Sequence, residues 1–292
     1  MDIKYLKLKL ISDNKTLEIV KDTSYKLIEI DGIERSNLEL NAVSNAQFDG
    51  SVVVSKRIQN RPISITADYR GLNKEIERQK LISFFNPKNT GILTVNYGEV
   101  ERSIEYEIED FNCKLTNIYD DLSFTVDLIC PNPYWTDVEL NKKQIALWKG
   151  DFHFPLIIPQ NTGITMGHRE PSLIVNVLNN GQVKTGMIIE FKAKGTLKNP
   201  SLFNVNTREF IKINKGMVAG EKIIINTNVG KKKIIQNLNG IETDILNYLD
   251  IVGGGDTFLQ LEVGDNLFRY DADSNLDNLE VNIYYNNNYL GV

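Results

Sequence analysis

The apolar residues of this 292-residue chain recur at every second position almost throughout, and at helical spacing in one segment only. A period of two puts successive side chains on opposite faces of a strand, so such a chain must build its core from sheets. Leu6, Leu8 and Leu10 alternate with Lys7 and Lys9, and Ile63, Ile65 and Ala67 with Ser64 and Thr66. Later in the chain Leu173, Val175 and Val177 alternate, as do Met187, Ile189, Phe191 and Ala193. The run Leu279, Val281, Ile283 and Tyr285 closes the series, and turn residues such as Asp31-Gly32, Gly195–Pro200 and Gly264-Asp-Asn266 separate the strands. This spacing predicts an all-β chain, mainly β with one helix, built as a sandwich or jelly roll.

The exception is Gly71–Phe85. Ile76, Leu81, Phe84 and Phe85 form an apolar stripe at helical spacing, expected to face the core. Asn73 is placed to cap the first turn, and Glu75 and Glu77 sit near the positive end of the helix dipole.

The stretch Phe124–Trp135 divides the chain. Phe124, Val126 and Leu128 point one way and Thr125 and Asp127 the other, which is a strand. Pro131 and Pro133 then stop the ladder, because proline has no N–H to give. The length suits two domains, read as 1–135 and 136–292, with Pro131, Pro133, Tyr134 and Trp135 as the junction. The two large rings are expected to pack inside one subunit.

Net charge is −5 and the isoelectric point about 5.3, which argues against a protein that coats duplex DNA. No run approaches the ~18 apolar residues of a membrane span. Met1–Leu10 carries charges throughout and reads as a strand, not a signal peptide. Cys113 and Cys130 read as buried thiols of a chain made in a reducing cytosol. His153 and His168 lack a second ligand at metal-binding spacing, and Gly253–Asp256 is followed by a strand where a phosphate cradle needs a helix. No catalytic, metal or cofactor residue is expected, and nothing singles out a pair of carboxylates. In Gly98–Asp110, five carboxylates, Glu99, Glu101, Glu105, Glu107 and Glu109, alternate with Val100, Arg102, Ile104, Tyr106 and Ile108. Two readings of that acidic face stand: a solvated sheet surface, or a wall that repels a polyanion.

The run Ile129-Cys-Pro-Asn-Pro-Tyr-Trp135 resembles the end of the N-terminal domain in the siphovirus-type distal tail protein family. Further motifs agree in order: Arg61-Pro-Ile-Ser-Ile65, the Gly71–Phe85 helix, Phe152-His-Phe-Pro155, Asn199-Pro-Ser201 and Asn206-Thr-Arg-Glu-Phe-Ile211. Gly220-Glu-Lys-Ile-Ile-Ile225, Phe258-Leu-Gln-Leu261, Gly264-Asp-Asn266 and Tyr289-Leu-Gly-Val292 complete the set. Each motif is short, but together they span nearly the whole chain.

The resemblance implies an N-terminal tail-tube-like β-sandwich or split barrel and a C-terminal galectin-like β-sandwich. It implies a ring, usually a hexamer, that acts as the hub between a phage tail tube and the baseplate, with DNA only in transit through its hole. The implied partners are the chain itself, the tail tube protein, the tape measure protein, a tail-associated lysin or tip protein and a receptor-binding protein, with no membrane, no cofactor and no catalysis. The implied location is the virion tail tip, after synthesis in the bacterial host cytoplasm. In this light Glu99, Glu101, Glu105, Glu107 and Glu109 become candidate channel-lining residues. The polar stretch Asn41–Gly50 with Ser51, Val52, Val53 and Val54 becomes a candidate ring interface, able to add to a neighbour's sheet edge. The alternative is a carbohydrate- or receptor-binding module that uses the C-terminal sandwich, with Tyr284, Tyr285 and Tyr289 as available rings.

Overall fold

The computed structural model describes residues 6–20, 23–44, 49–114, 119–145, 148–150, 167–169 and 174–292. The chain divides into two compact units, Met1–Val138 with Asn288–Val292, and Glu139–Asn287. Among the described residues the structure is mostly strand, with one α-helix.

Unit 1 contains β1 (Leu6–Ser12), β2 (Lys15–Ile19), β3 (Tyr25–Asp31), β4 (Leu38–Ser44), β5 (Ser51–Ile58), β6 (Arg61–Tyr69), α1 (Lys74–Phe84), β7 (Thr90–Tyr97), β8 (Val100–Asn112), β9 (Leu122–Cys130) and β10 (Trp135–Asp137). Seven of these strands form one antiparallel sheet in the order β2-β1-β7-β8-β9-β6-β3. The alternation dictates its inside: Leu8, Leu10, Ile65, Ala67, Leu93, Val95, Val126 and Leu128 are all completely buried. The sheet curls until its edge strands β2 and β3 approach each other without pairing.

Helix α1 bridges that split. Lys15 Nζ of β2 donates to Ser83 Oγ at 3.1 Å, and Tyr25 Oη of β3 donates to Glu77 Oε1 at 2.6 Å. Leu81, Phe84 and Phe85 enter the core, where the Phe85 ring stacks on Phe111 at 4.8 Å and meets Phe84 edge-on at 5.0 Å. Two expectations fail here. Ile76 is 60% exposed, because the helix lies across the opening and shows that face to solvent. Asn73 makes no side-chain cap; its backbone is left-handed (φ 58°), and only its carbonyl accepts from Glu77 N at 3.2 Å.

Unit 2 is a sandwich of two sheets around one core. Its strands are β11 (Asn141–Gln144), β12 (Trp148–Gly150), β13 (Gly167–Arg169), β14 (Ile174–Asn179), β15 (Met187–Ala193), β16 (Leu197–Asn204), β17 (Phe210–Lys212), β18 (Gly216–Met217), β19 (Lys222–Asn226), β20 (Lys233–Leu238), β21 (Ile241–Asp244), β22 (Gly264–Ser274) and β23 (Leu279–Tyr285). One sheet runs β11-β23-β15-β19-β20-β21 and the other β14-β22-β16-β17, with β18 on β16. Ile189, Phe191, Ile223 and Val281 from the first meet Val177, Leu202, Ile211 and Phe268 from the second. The Phe152–Pro155 motif, His153, Leu173 and part of the Asn41–Gly50 stretch lie outside the described residues, as does the side chain of His168.

The division between units falls after Val138, three residues beyond the expected Trp135, because β10 stays on unit 1 by pairing Thr136 with Ser103 of β8. The chain also returns: β24 (Asn288–Tyr289) pairs with β10.

One side chain gathers these segments. Arg61, at the start of β6, is fully buried and makes five hydrogen bonds. Nε donates to Pro133 O at 2.9 Å; Nη1 donates to Gly32 O at 2.6 Å and Arg35 O at 2.9 Å. Nη2 donates to Ser36 Oγ at 2.8 Å and Leu290 O at 2.5 Å. The Trp135 ring centre lies 5.8 Å from the guanidinium carbon.

Cys113 and Cys130 are both free thiols; Cys130 is fully buried, and burial pushes its pKa up to about 12.

Two stability outcomes follow from this packing. Phe85→Ala should cost about 3–5 kcal/mol in chemical denaturation of unit 1, whereas Ile76→Ala should cost under about 1 kcal/mol. Arg61→Lys should cost about 2–5 kcal/mol, because a compact ammonium has three donors and leaves carbonyls of the cage unpaired. A Tm within one degree or so of the unaltered protein would contradict that account.

Candidate assembly surfaces

Among the described residues, strands β4 and β5 pair only with each other and leave the curled sheet as an arm between β3 and β6. Its side chains are almost all exposed: Val52 by 73%, Val54 by 67%, Val43 by 62% and Leu38 by 58%, with Leu40 and Val53 not far behind. A lone hairpin is marginal in water, and a contiguous patch of exposed aliphatics is the kind of surface that marks an interaction site. Polar pairs brace it. Arg57 Nη2 and Gln59 Nε2 donate to Glu39 Oε2 at 2.7 and 3.0 Å, and Asn41 Nδ2 donates to Ser55 Oγ at 3.1 Å. The bonds from Gln59 and then Arg57 hold the Glu39 carboxyl below its ordinary pKa.

Sequence reasoning named Ser51, Val52, Val53 and Val54 in β5, and the stretch Asn41–Gly50 that holds Val43 opposite Val52, but not Leu38 and Leu40 at the start of β4. Alternation reports which residues share a face. It does not say whether that face meets a core or solvent.

A second apolar feature lies at the opposite end of β3 from the arm's root. Leu17, Tyr25, Ile76, Leu81 and Phe84 line a groove of about 650 Å³ along the seam between α1 and the edge strands, rimmed by Lys15, Glu77 and Lys80. Desolvation and the bond to Glu77 raise the Tyr25 pKa, so that phenol stays a donor.

The acidic strand β8 presents its glutamates outward while Ile104, Tyr106 and Ile108 turn in. Glu101, Glu105 and Glu109 are exposed, Glu107 is half-buried, and Glu99 stands exposed in the turn before the strand. A bulge between Ile108 and Asp110 shifts the register, setting Asp110 opposite Asp127. Asp110, Asp127, Glu109, Asp31 and Glu34 share one shallow cavity of about 760 Å³, with Arg35 at its edge. Lys7 and Lys9 lie two strands away on β1, so the acidic field belongs to the β8, β9, β6 and β3 side of the sheet.

At the junction Trp135 is completely buried in the unit 1 core, Pro133 and Tyr134 are half-buried and Pro131 is exposed. The three tyrosines considered for sugar stacking already have partners. Tyr285 Oη donates to Leu178 O at 2.9 Å, Lys142 Nζ lies 5.4 Å from the Tyr284 ring centre, and the Arg102 guanidinium carbon lies 3.7 Å from that of Tyr289. Among the described residues no group of three or more His, Cys, Asp or Glu side chains is placed to hold a metal ion, and no helix is long and apolar enough to cross a membrane.

Residues 180–289 match the family described as siphovirus-type tail component, C-terminal domain. No curated protein sequence matches the chain. Among solved structures it is similar to the SPP1 Dit (gp 19.1) protein, described as a paradigm of hub adsorption apparatus in Gram-positive-infecting phages. That likeness has 14% identity and a TM-score of 0.67, covering 97% of this chain and 99% of that one. A chain of the phage P2 baseplate, in its activated conformation with Ca, is similar at 11% identity and a TM-score of 0.57, covering 98% and 99%. The same baseplate with Sr gives 11% identity and a TM-score of 0.55 over the same shares. Residues 180–289 therefore belong to the siphovirus-type tail component C-terminal domain family, within a chain that has the Dit fold along nearly its whole length.

Proposed function

We propose that the protein is the structural hub at the distal end of a phage tail or tail-like particle. It forms a ring, a hexamer, that joins the tail tube to the baseplate or tail-tip proteins and lets DNA pass. The observation that carries this reading is the full-length likeness to a Dit hub protein, joined to the family match over residues 180–289. It acts by shape and assembly and not by catalysis. It resides in the virion tail tip, after synthesis in the host cytoplasm. Its neighbours are the tail tube, tape measure and tail-associated lysin proteins, together with a receptor-binding protein. The partners already held by Tyr284, Tyr285 and Tyr289 favour this hub over a sugar-binding sandwich.

The physics of a ring supports the reading. A closed ring uses heterologous contacts, so each copy must offer two unlike patches. The aliphatic arm is one and the groove at the far end of β3 is the other, each out of reach of its own mate. Ser51, Val52, Val53 and Val54 then lie in the interface, and Glu99, Glu101, Glu105, Glu107 and Glu109 line the channel, where a like-charged wall does not hold DNA.

In native mass spectrometry the protein is expected as a ring of one defined stoichiometry, alone or with the tail tube protein. Val52→Asp with Val54→Asp should shift it to monomers without changing its Tm, since both side chains are already solvated. A monomer under every condition would overturn the reading. Reversing Glu101, Glu105 and Glu107 to Lys should leave the ring intact and slow DNA release from assembled particles, more so at low salt. Unchanged release would remove those residues from the channel.

A further inference from the structure

Unit 1 is completed by a segment that follows unit 2 in the chain. Asn288 and Tyr289 pair with Thr136 and Trp135. The Leu290 carbonyl accepts from Arg61 Nη2 at 2.5 Å and from Ser36 Oγ at 3.2 Å. The Gly291 carbonyl accepts from the Arg102 guanidinium of β8, which also lies over the Tyr289 ring. Val292 N donates to Ile33 O at 3.2 Å. Every residue of 288–292 is thus bonded or stacked within unit 1, and the last three close on Ile33–Ser36 or on Arg102 beside it.

Ile33–Ser36 is the root of the arm. Apart from this segment, the root is held by the Ile33 side chain, buried in the unit 1 core, by the Arg61 bonds to Gly32, Arg35 and Ser36, and by the bond from Gln59 N to Asn37 O at 2.9 Å, so the strap adds the contacts that reach Glu34 and the backbone of Ile33. The approach of the two backbones requires glycine. A Cβ at Gly291 would lie 2.2 Å from the Glu34 carbonyl oxygen, a contact that no neighbouring flexible side chain can relieve.

We infer that residues 288–292 are a strap that sets the arm: seating it on Ile33–Ser36 fixes the arm in the pose that engages a second copy of this chain. This rests on the ring reading. Because the strap lies beyond residue 287, the arm is set only after unit 2 has been synthesised. Incomplete chains, whose exposed aliphatics would otherwise join a growing ring, are left with an unfixed arm. A heterologous ring cannot close around one defective member, so this ordering excludes truncated subunits before assembly.

The test uses the full-length protein carrying Gly291→Val, with Tyr289→Ala as a milder second variant. Hydrogen exchange of the backbone at residues 32–44 should speed up at least tenfold, while exchange within β15, β19 and β23 of unit 2 stays unchanged. Ring formation, followed by native mass spectrometry at matched concentration, should slow in step. Unchanged exchange at the arm's root in both variants would overturn the strap. Faster exchange with rings forming at the normal rate would also overturn it, and would leave the ring reading standing. Failure of the unaltered protein to form any ring sinks the ring reading itself, and with it the strap's proposed purpose.

Discussion

A guanidinium held by four main-chain oxygens and the Ser36 hydroxyl is the interaction on which unit 1 depends. Burying an unpaired cation is costly unless hydrogen bonds replace its water, and Arg61 has five such bonds. Their acceptors come from three separate stretches: residues 32–36, Pro133 and Leu290. Each stretch lacks a ladder of its own at that point, being a turn, a proline connector and a returning end. The planar fork of arginine is what lets one side chain satisfy all of them, since its donors diverge in fixed directions. Burial lowers the Arg61 pKa from its ordinary value, yet arginine keeps its charge in proteins, so the cage remains cationic and its carbonyls remain attracted to it.

With the root fixed there, the rest of unit 1 follows from a single sheet that cannot close. Its edge strands meet without pairing, and exposed edges invite association. Helix α1 takes up the split by bonding to both edges and stacking Phe85 on Phe111. The magnitudes rank these contacts. A buried phenylalanine contributes several kcal/mol, whereas exposed ion pairs such as Lys9 with Glu18 at 3.8 Å contribute at most about 1 kcal/mol. The fold is therefore decided inside the curled sheet. That leaves its outer face free to carry an acidic strand whose repulsion is screened by solvent.

Much of this was legible in the chain. The period of two fixed which residues of β1, β6, β8, β9, β15 and β23 turn inward, because burial on one face of a pleated strand admits no other register. The stripe Leu81, Phe84 and Phe85 located the helix and its core face. Ile76 escaped because helical spacing marks a stripe but not how much of it a curled sheet can cover. Asn73 escaped because a left-handed backbone turns a capping side chain away from the N–H groups it was meant to serve. Arg61 escaped for a different reason. Four of its five partners are carbonyls, which every residue carries, so no spacing of side chains announces the cage. Leu38 and Leu40 of β4 escaped because an exposed strand and a core strand share one alphabet.

The arm and the acidic face together show how a surface can be read without a reacting group. Six exposed aliphatics on a two-stranded hairpin are unstable as free surface, and a partner that covers them recovers their burial. The exposed glutamates of β8 have no such deficit, because water reaches them and screens their mutual repulsion. One surface is thus incomplete without a neighbour, and the other is complete only when nothing adheres to it. In a ring the two requirements fall on different sides of each copy. In the ring proposed above, aliphatic contacts knit neighbours together and the carboxylates face the hole. At physiological salt the screening length is about 8 Å, so that wall acts on DNA only near contact. It cannot steer or arrest the polymer from afar. It can only keep the passage from becoming a binding site, which is all that a conduit requires.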